Sequence, residues 1–244
     1  MYNIFAAYYD KLTQNINYAA RAAYFDGLIR ANMQVNPNTI LLDMGCGTGS
    51  LTVKLAHYGY DMIGMDGSQE MLSTALGKGG EHIQYICQDF QSMDLFGTVN
   101  VVICALDGLN HLTDYQALEE TFRRVSLFTE PGGLFLFDVN TPYKHQQILA
   151  NHTFVYDLED IFCVWQNFTQ EDPLCTEMVL DFFVPQGKLY QRQQESFQER
   201  AWPDEVLQEL LKRYGYDCLA VYGGDTLNPL QETDERAVYV ARKK

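Results

Sequence analysis

A doubly wound α/β fold is predicted by three observations. Short apolar runs alternate with amphipathic ones, a glycine-rich turn links the first apolar run to the next helix, and one long stretch abandons the alternation for hairpins. The expected architecture is a mostly parallel seven-stranded sheet with helices on both faces and an inserted antiparallel β cap. Residues 1–139 and 198–244 would form the main domain, and residues 140–197 the cap.

Each element follows from its residues. Tyr18 to Met33 spaces Ala and aromatic residues for one buried helical face, and Asn36, Pro37 and Asn38 then break it. Thr39 to Asp43 is a short apolar strand, Gly49 to Tyr58 a helix, Asp61 to Met65 a strand and Ser68 to Leu76 a helix. Strands are expected at His82 to Cys87, Val99 to Ala105 and Leu134 to Asp138, with a helix from Tyr115 to Phe128. Continuous apolar strands of this length suit a parallel sheet covered on both faces. From Thr153 to Phe197 the runs TFVYDL, IFCVWQNF, TEMVLDFFV and KLYQRQQESF succeed one another across turns such as Glu171-Asp172-Pro173 and Pro185-Gln186-Gly187, the pattern of antiparallel hairpins. Alternation resumes with a helix opening at Trp202-Pro203-Asp204 and reaching Tyr214, then strands at Asp217 to Tyr222 and Arg236 to Ala241. Such excursions often cover the site at the carboxyl ends of the strands.

Charge narrows the partners. With 32 acidic against 17 basic residues the chain carries a formal charge of -15, so a polyanion approaches against the field. Basic residues gather only in small groups, Arg123 with Arg124 and Arg242 to Lys244, which makes nucleic acid an unfavoured partner and a small-molecule acceptor the expected one. No run nears the roughly 20 apolar residues of a membrane span. The opening MYNIFAAYYDKL lacks a basic segment followed by an apolar run, so a cytoplasmic location is expected. Cys46, Cys87, Cys104, Cys163, Cys175 and Cys218 are scattered with no CxxC pair, and are expected to be buried free thiols, with neither disulfides nor a metal site. A homodimer is left open.

The segment ILLDMGCGTGSLTVKLA sets Gly45, Gly47 and Gly49 between a strand and a helix, where glycines let the backbone turn tightly and approach a ligand. Asp43 precedes them. The spacing is G-x-G-x-G, one residue tighter than the dinucleotide pattern G-x-G-x-x-G. The second strand ends at Asp66 and Gly67, where a carboxylate can accept hydrogen bonds from both ribose hydroxyls in nicotinamide and S-adenosylmethionine (SAM) sites alike. The third strand ends in Gln88, Asp89 and Phe90; an Asp there can accept from an adenine amino group, and Phe90 or Met71 can pack on the base.

Together these segments resemble class I SAM-dependent methyltransferases. Motif I of that family looks like LLDMGCGTG, its ribose acid matches Asp66 within GMDGSQEML, and its adenine-contacting acid matches Asp89 within CQDF. More narrowly, FAAYYDKL, CALDGLNHL and ESFQERAWPDE resemble a bacterial subgroup of small-molecule methyltransferases with a β insertion. Two positions depart from it: Gly67 stands where the family often has a larger residue, and Phe197 where a His is expected. The resemblance implies a Rossmann-like sheet, SAM as methyl donor, S-adenosylhomocysteine as product, and a cofactor site drawn from Tyr9, Asp43, Gly45, Cys46, Gly47, Gly49, Asp66, Gly67, Met71, Gln88, Asp89, Phe90 and Leu106. Tyr8 and Tyr9 either pack on the core or offer an aromatic face to the sulfonium.

Methyl transfer from a sulfonium is an in-line displacement, so alignment supplies much of the catalysis, and a base is needed only where the acceptor must lose a proton. The Asp/Asn-Pro-Pro-aromatic tetrad typical of methylation on a DNA amino group or on glutamine is missing, and Ala105 to His111 occupies its place. Asp107 and Asn110 are candidate acceptor contacts there, and His111 is a candidate base, against a hydrogen-bonded structural histidine. In and after the cap, Tyr156, Trp165, Arg192, Glu195, Arg200 and Trp202 are candidate acceptor contacts; for Glu195 and Arg200 a structural ion pair competes. The expected function is methyl transfer to a small molecule bound between main domain and cap. A non-catalytic SAM-binding regulator and an NAD-dependent oxidoreductase are the alternatives, the latter opposed by the glycine spacing and Asp89.

Overall fold

The computed structural model describes residues 3–80 and 82–244. Two helices, α1 (Asn3–Leu12) and α2 (Tyr18–Asn32), lead into an alternating series: β1 (Ile40–Met44), α3 (Ser50–Ala56), β2 (Asp61–Asp66), α4 (Gln69–Gly77) and β3 (Gln84–Cys87). It continues with β4 (Val99–Cys104), α5 (Tyr115–Phe128) and β5 (Thr129–Asn140). A π-helical turn (Lys144–Leu149) then precedes β6 (Thr153–Leu158), β7 (Ile161–Thr169), β8 (Cys175–Gln186) and β9 (Leu189–Arg200). The chain closes with α6 (Asp204–Arg213), β10 (Tyr216–Gly223) and β11 (Arg236–Lys243).

Apolar side chains at consecutive positions must be buried on both faces of a strand, and that requirement builds the seven-stranded sheet, ordered β10-β11-β5-β4-β1-β2-β3. β1 to β5 pair in parallel, and β11 runs antiparallel to β5 and β10. α5 and α6 cover one face through Phe122, Val125, Leu207, Leu210 and Leu211. The other face is covered by α2 and α3 through Phe25, Leu28, Ile29, Leu51 and Leu55. Strand order reverses between β1 and β4, which opens a crevice at their carboxyl ends. The expected doubly wound sheet with an antiparallel insertion is therefore the one observed.

The insertion is a four-stranded antiparallel sheet, β6-β7-β8-β9. Alternation turns Ile161, Cys163, Met178, Leu180 and Phe182 inward, where they pack with Phe5, Ala6 and Leu12 of α1 and Met71 of α4. The helix α1 is thus pressed between the second sheet and the main domain. No helix is expected there from the reading above, yet Phe5, Tyr9 and Leu12 stand at i, i+4 and i+7, the stripe of a buried helical face. β9 also runs past Phe197 to Arg200, a register set by pairing with β8 down to Cys175.

All six cysteines are free thiols, and Cys46, Cys104 and Cys163 are buried; contrary to expectation, Cys175 and Cys218 are only half-buried and Cys87 is exposed, the last because β3 lies at the sheet edge. Among the described residues no helix is long and apolar enough to cross a membrane.

Candidate active site

A cavity of about 330 Å³ lies at the carboxyl ends of the parallel strands, walled on one side by α1. That volume falls within the roughly 300–1,000 Å³ of small-ligand sites. Its floor is the turn after β1. Gly45 (φ +79°) and Gly47 (φ +54°) adopt the left-handed region, and the amides of Gly45 and Cys46 donate to Met65 O at 2.7 and 2.9 Å, tying the turn to β2. A Cβ at Gly45 would meet Phe90 Cζ at 2.9 Å, whereas one at Gly47 would meet nothing within 4 Å, so the backbone there faces open space.

Three carboxylates line this end. Asp66, closing β2, accepts from Gly47 N and Ser68 N at 2.8 Å each, and burial raises its pKa. Asp43 lies beneath the turn and accepts from Thr52 Oγ1 at 2.6 Å; burial pushes its carboxyl up to about 6. Asp89 is exposed at the rim. A Cβ at Gly67 would stand 2.7 Å from Asp89 Oδ1, so the departure from the family at Gly67 makes room for this acid.

Tyr9, Cys46, Met71, Phe90 and Leu106 line the same cavity, and so does His111 at its other end. Gly49 and Gln88 do not line it. Gly49 starts α3 at φ +73°, with Ala75 Cβ 2.9 Å from where its own Cβ would stand, and Gln88 folds onto the backbone of Asp94. The lining also includes Phe5, Tyr18, Thr48, Ser50, Ser68, Gln91 and Gly108, which motif reading passes over. α1 is tethered here: Asp10 accepts from Thr48 Oγ1 at 2.7 Å and pairs with Lys78 Nζ at 2.5 Å, and Lys78 also donates to Ser50 Oγ at 2.6 Å. Burial drives the Tyr9 phenol well above its ordinary pKa, which keeps it a neutral donor.

Beyond β4 the chain is strained in the segment that leads to His111. Leu106 (φ +58°) and Asp107 (φ +61°) are left-handed without being glycine, and buried Asp138 compensates by accepting from both amides, at 2.9 and 3.0 Å. Asp107 does not line the cavity. Its carboxylate accepts from Arg236 at 2.8 Å; burial pushes it up, but Arg236 and then Lys144 hold it down at about 2. Arg236 also pairs with Asp138, which Arg21 approaches at 3.4 Å. Asn110 likewise turns inward: Nδ2 donates to Asn140 O and Arg200 O at 3.1 and 2.9 Å, and Oδ1 accepts from Asn140 N at 2.9 Å. Asn110 therefore binds backbone, stitching the turn Gly108–His111 to the ends of β5 and β9.

Among the described residues, none of the six candidates in and after the cap lines the cavity. Trp165 packs against Phe5, Phe197 and Tyr156 with ring centroids 6.1 to 6.4 Å apart, behind α1. Glu195 accepts from Phe5 N at 3.4 Å. Arg192 pairs with Asp181 at 2.7 Å on the cap, and Arg200 pairs with Asp172 at 2.7 Å while lying over the Trp202 ring. Trp202 is buried and donates to Leu112 O at 3.0 Å. These contacts are with the fold and not with the cavity. Phe197, the other departure, packs 5.3 Å from the His111 ring.

The donor set fits a cationic nucleoside. Carboxylates suit ribose hydroxyls and positive groups, the Phe5, Tyr9 and Phe90 rings suit a base and a sulfonium, and Gly47 leaves room for close backbone approach. Fold and site together define a class I SAM-dependent methyltransferase. A family model described as a methyltransferase domain matches residues 41–133. The provisionally named methyltransferase YqeM of Bacillus subtilis (strain 168) is 31% identical over 246 residues, spanning the whole of this chain and 97% of its own. A solved SAM-dependent methyltransferase from Clostridium acetobutylicum ATCC 824 is 32% identical with a TM-score of 0.88, over 99% of this chain and 98% of its own. The chain belongs to the SAM-dependent methyltransferases, and SAM is its methyl donor. SAM-bound CalS10, an amino pentose methyltransferase from Micromonospora echinaspora, shares the fold at a TM-score of 0.74 and 19% identity, over 95% of this chain and 93% of its own.

Proposed function

We propose that this methyltransferase acts on a small-molecule acceptor bound beneath α1, the helix that the cap holds against the main domain, by in-line displacement, with His111 as base where the acceptor must lose a proton. The observation that carries the reading is one continuous cavity joining Gly47, Asp66 and Asp89 to His111 beneath α1. SAM supplies an electrophilic methyl group on a sulfonium. Asp66 would accept from the ribose hydroxyls, Asp89 would accept from the adenine amino group, and Phe90 and Met71 would pack on the base. Phe5 and Tyr9 would exclude water and offer aromatic rings to the sulfonium. Residues 140–197 act as the cap in this scheme, with Trp165 and Glu195 holding α1 in place. The charge of -15 disfavours RNA as the acceptor.

The test is transfer from labelled SAM, offered in parallel to a small-molecule metabolite extract, total RNA and total protein. Label is expected in the small molecules. Label confined to RNA or protein would overturn the reading, and SAM binding without any transfer would favour the regulator.

A further inference from the structure

Behind His111 lies a cluster that cofactor binding does not use. Glu199, near the end of β9, has a side chain only 4% exposed and stands between two imidazoles. Its Oε1 is 3.8 Å from His111 Nε2, and its Oε2 is 3.9 Å from His145 Nε2. Asn140 Nδ2 donates to Oε2 at 3.2 Å. Among the described residues, the other charged groups that act most on this carboxylate are Asp107, on the strained segment after β4, and Lys144, on the π-helical turn; Arg236 of β11 is engaged by Asp107 and Asp138. Burial, and then Asp107, push the Glu199 carboxyl up to about 7. Burial, and then Lys144, push His145 down to about 4, so it stays neutral, with Nδ1 3.0 Å from Thr176 Oγ1. Of the two imidazoles beside Glu199, only His111 lines the cavity.

A second observation concerns what the cavity can receive. Its described lining contains no lysine or arginine, and its acids, Asp43, Asp66 and Asp89, stand at the end assigned to SAM, which leaves His111 at the other. A phosphate or carboxylate on the acceptor would find no positive partner in that lining, whereas a cation is drawn in by the formal charge of -15 and meets the buried Glu199 carboxyl behind His111.

We infer that the acceptor is a small amine arriving as its ammonium, that His111 takes its proton, and that Glu199 is the positioning carboxylate that aims this imidazole and offsets its charge. The inference rests on the small-molecule reading above. One ammonium N–H bond breaks, its electron pair stays on nitrogen, and the proton passes to a His111 ring nitrogen. The nitrogen pair then forms the bond to the methyl carbon as the carbon–sulfur bond breaks, its pair remaining on sulfur. The product leaves as an N-methylated ammonium, and the imidazolium returns its proton to solvent.

Two measurements test this. First, wild-type protein and labelled SAM are given a metabolite extract split at neutral pH into cation-exchange-retained, anion-exchange-retained and unretained fractions. The accepting activity is expected in the cation-exchange fraction; activity confined to the other two overturns the amine acceptor. No activity in any fraction overturns the small-molecule reading itself, and this inference with it. Second, cofactor-free wild type and Glu199→Gln are treated with diethyl pyrocarbonate across a pH series, and modification of His111 is followed by peptide mass. Loss of the carboxylate should move the His111 reactivity profile to lower pH, because the imidazolium loses its compensating charge. Glu199→Asp should move it back. On the accepting fraction, Glu199→Gln should lower kcat about tenfold or more with KM held within about threefold. An unchanged reactivity profile in a folded Glu199→Gln protein would make Glu199 merely structural. Should that variant not fold, the fractionation with wild type still decides the acceptor class, and Glu199→Ala, which also removes the carboxylate, decides the positioning role by the same profile.

Discussion

At the scale of single residues, Asp66 and Gly45 do different work in one site. Asp66 gathers two backbone amides and is the acid at the end of β2 matched to the ribose. Asp66→Ala should weaken SAM binding by about 1–3 kcal/mol, the cost of leaving donors without a partner, as read by titration calorimetry. Gly45 combines a left-handed backbone with close approach of Phe90. Gly45→Ala should lose about 1–2 kcal/mol of stability in denaturant melts and also weaken SAM binding, since Phe90 must move. Both residues are legible in sequence because their roles depend on local spacing. Asp107 and Asn110 are not: their neighbours in sequence line the cavity, and only the positions of Arg236 and Arg200, far along the chain, turn them into structural groups.

At the scale of elements, α1 is the part whose role depends on others. Its inner stripe rests on the cap, while Asp10 ties it to Thr48 and Lys78. Both members of the Asp10–Lys78 pair are partly exposed, so the pair adds little to global stability, yet it fixes a helix that walls the cofactor cavity. Lys78→Ala should therefore leave the melting temperature nearly unchanged while speeding hydrogen exchange in α1 and raising the SAM dissociation rate several-fold in stopped flow. An unchanged dissociation rate would mean that the cap alone holds the helix.

At the scale of the whole molecule, buried acids couple stability to pH. Glu199 and Asp43 titrate near about 7 and about 6 when folded, above the ordinary 4.5 and 3.8. Across that window the folded chain holds more protons than the unfolded one, so their contribution to stability falls as pH rises. His145, lowered from 6.5 to about 4, acts in the opposite sense, costing stability as pH falls through that range. Glu199→Gln removes one contribution and leaves the others. Its melting temperature relative to wild type should rise by about 2–6 °C between about pH 5 and pH 8, even as turnover is lost. A difference independent of pH would show that the carboxyl keeps an ordinary affinity for protons.

The strand and helix alternation, the antiparallel insertion, and the glycine turn and acids that line one end of the cavity follow from the amino-acid order alone, because apolar period and glycine spacing act over a few residues of contiguous chain. The other end of the cavity is set by long-range contacts. There His111 comes after β4, Glu199 from β9, His145 from the π-helical turn and Phe5 from α1, and alternation along β9 sends Glu199 inward while Arg192 faces away. Which polar groups meet a ligand and which satisfy one another depends on contacts between residues far apart in the chain, and no local pattern encodes those.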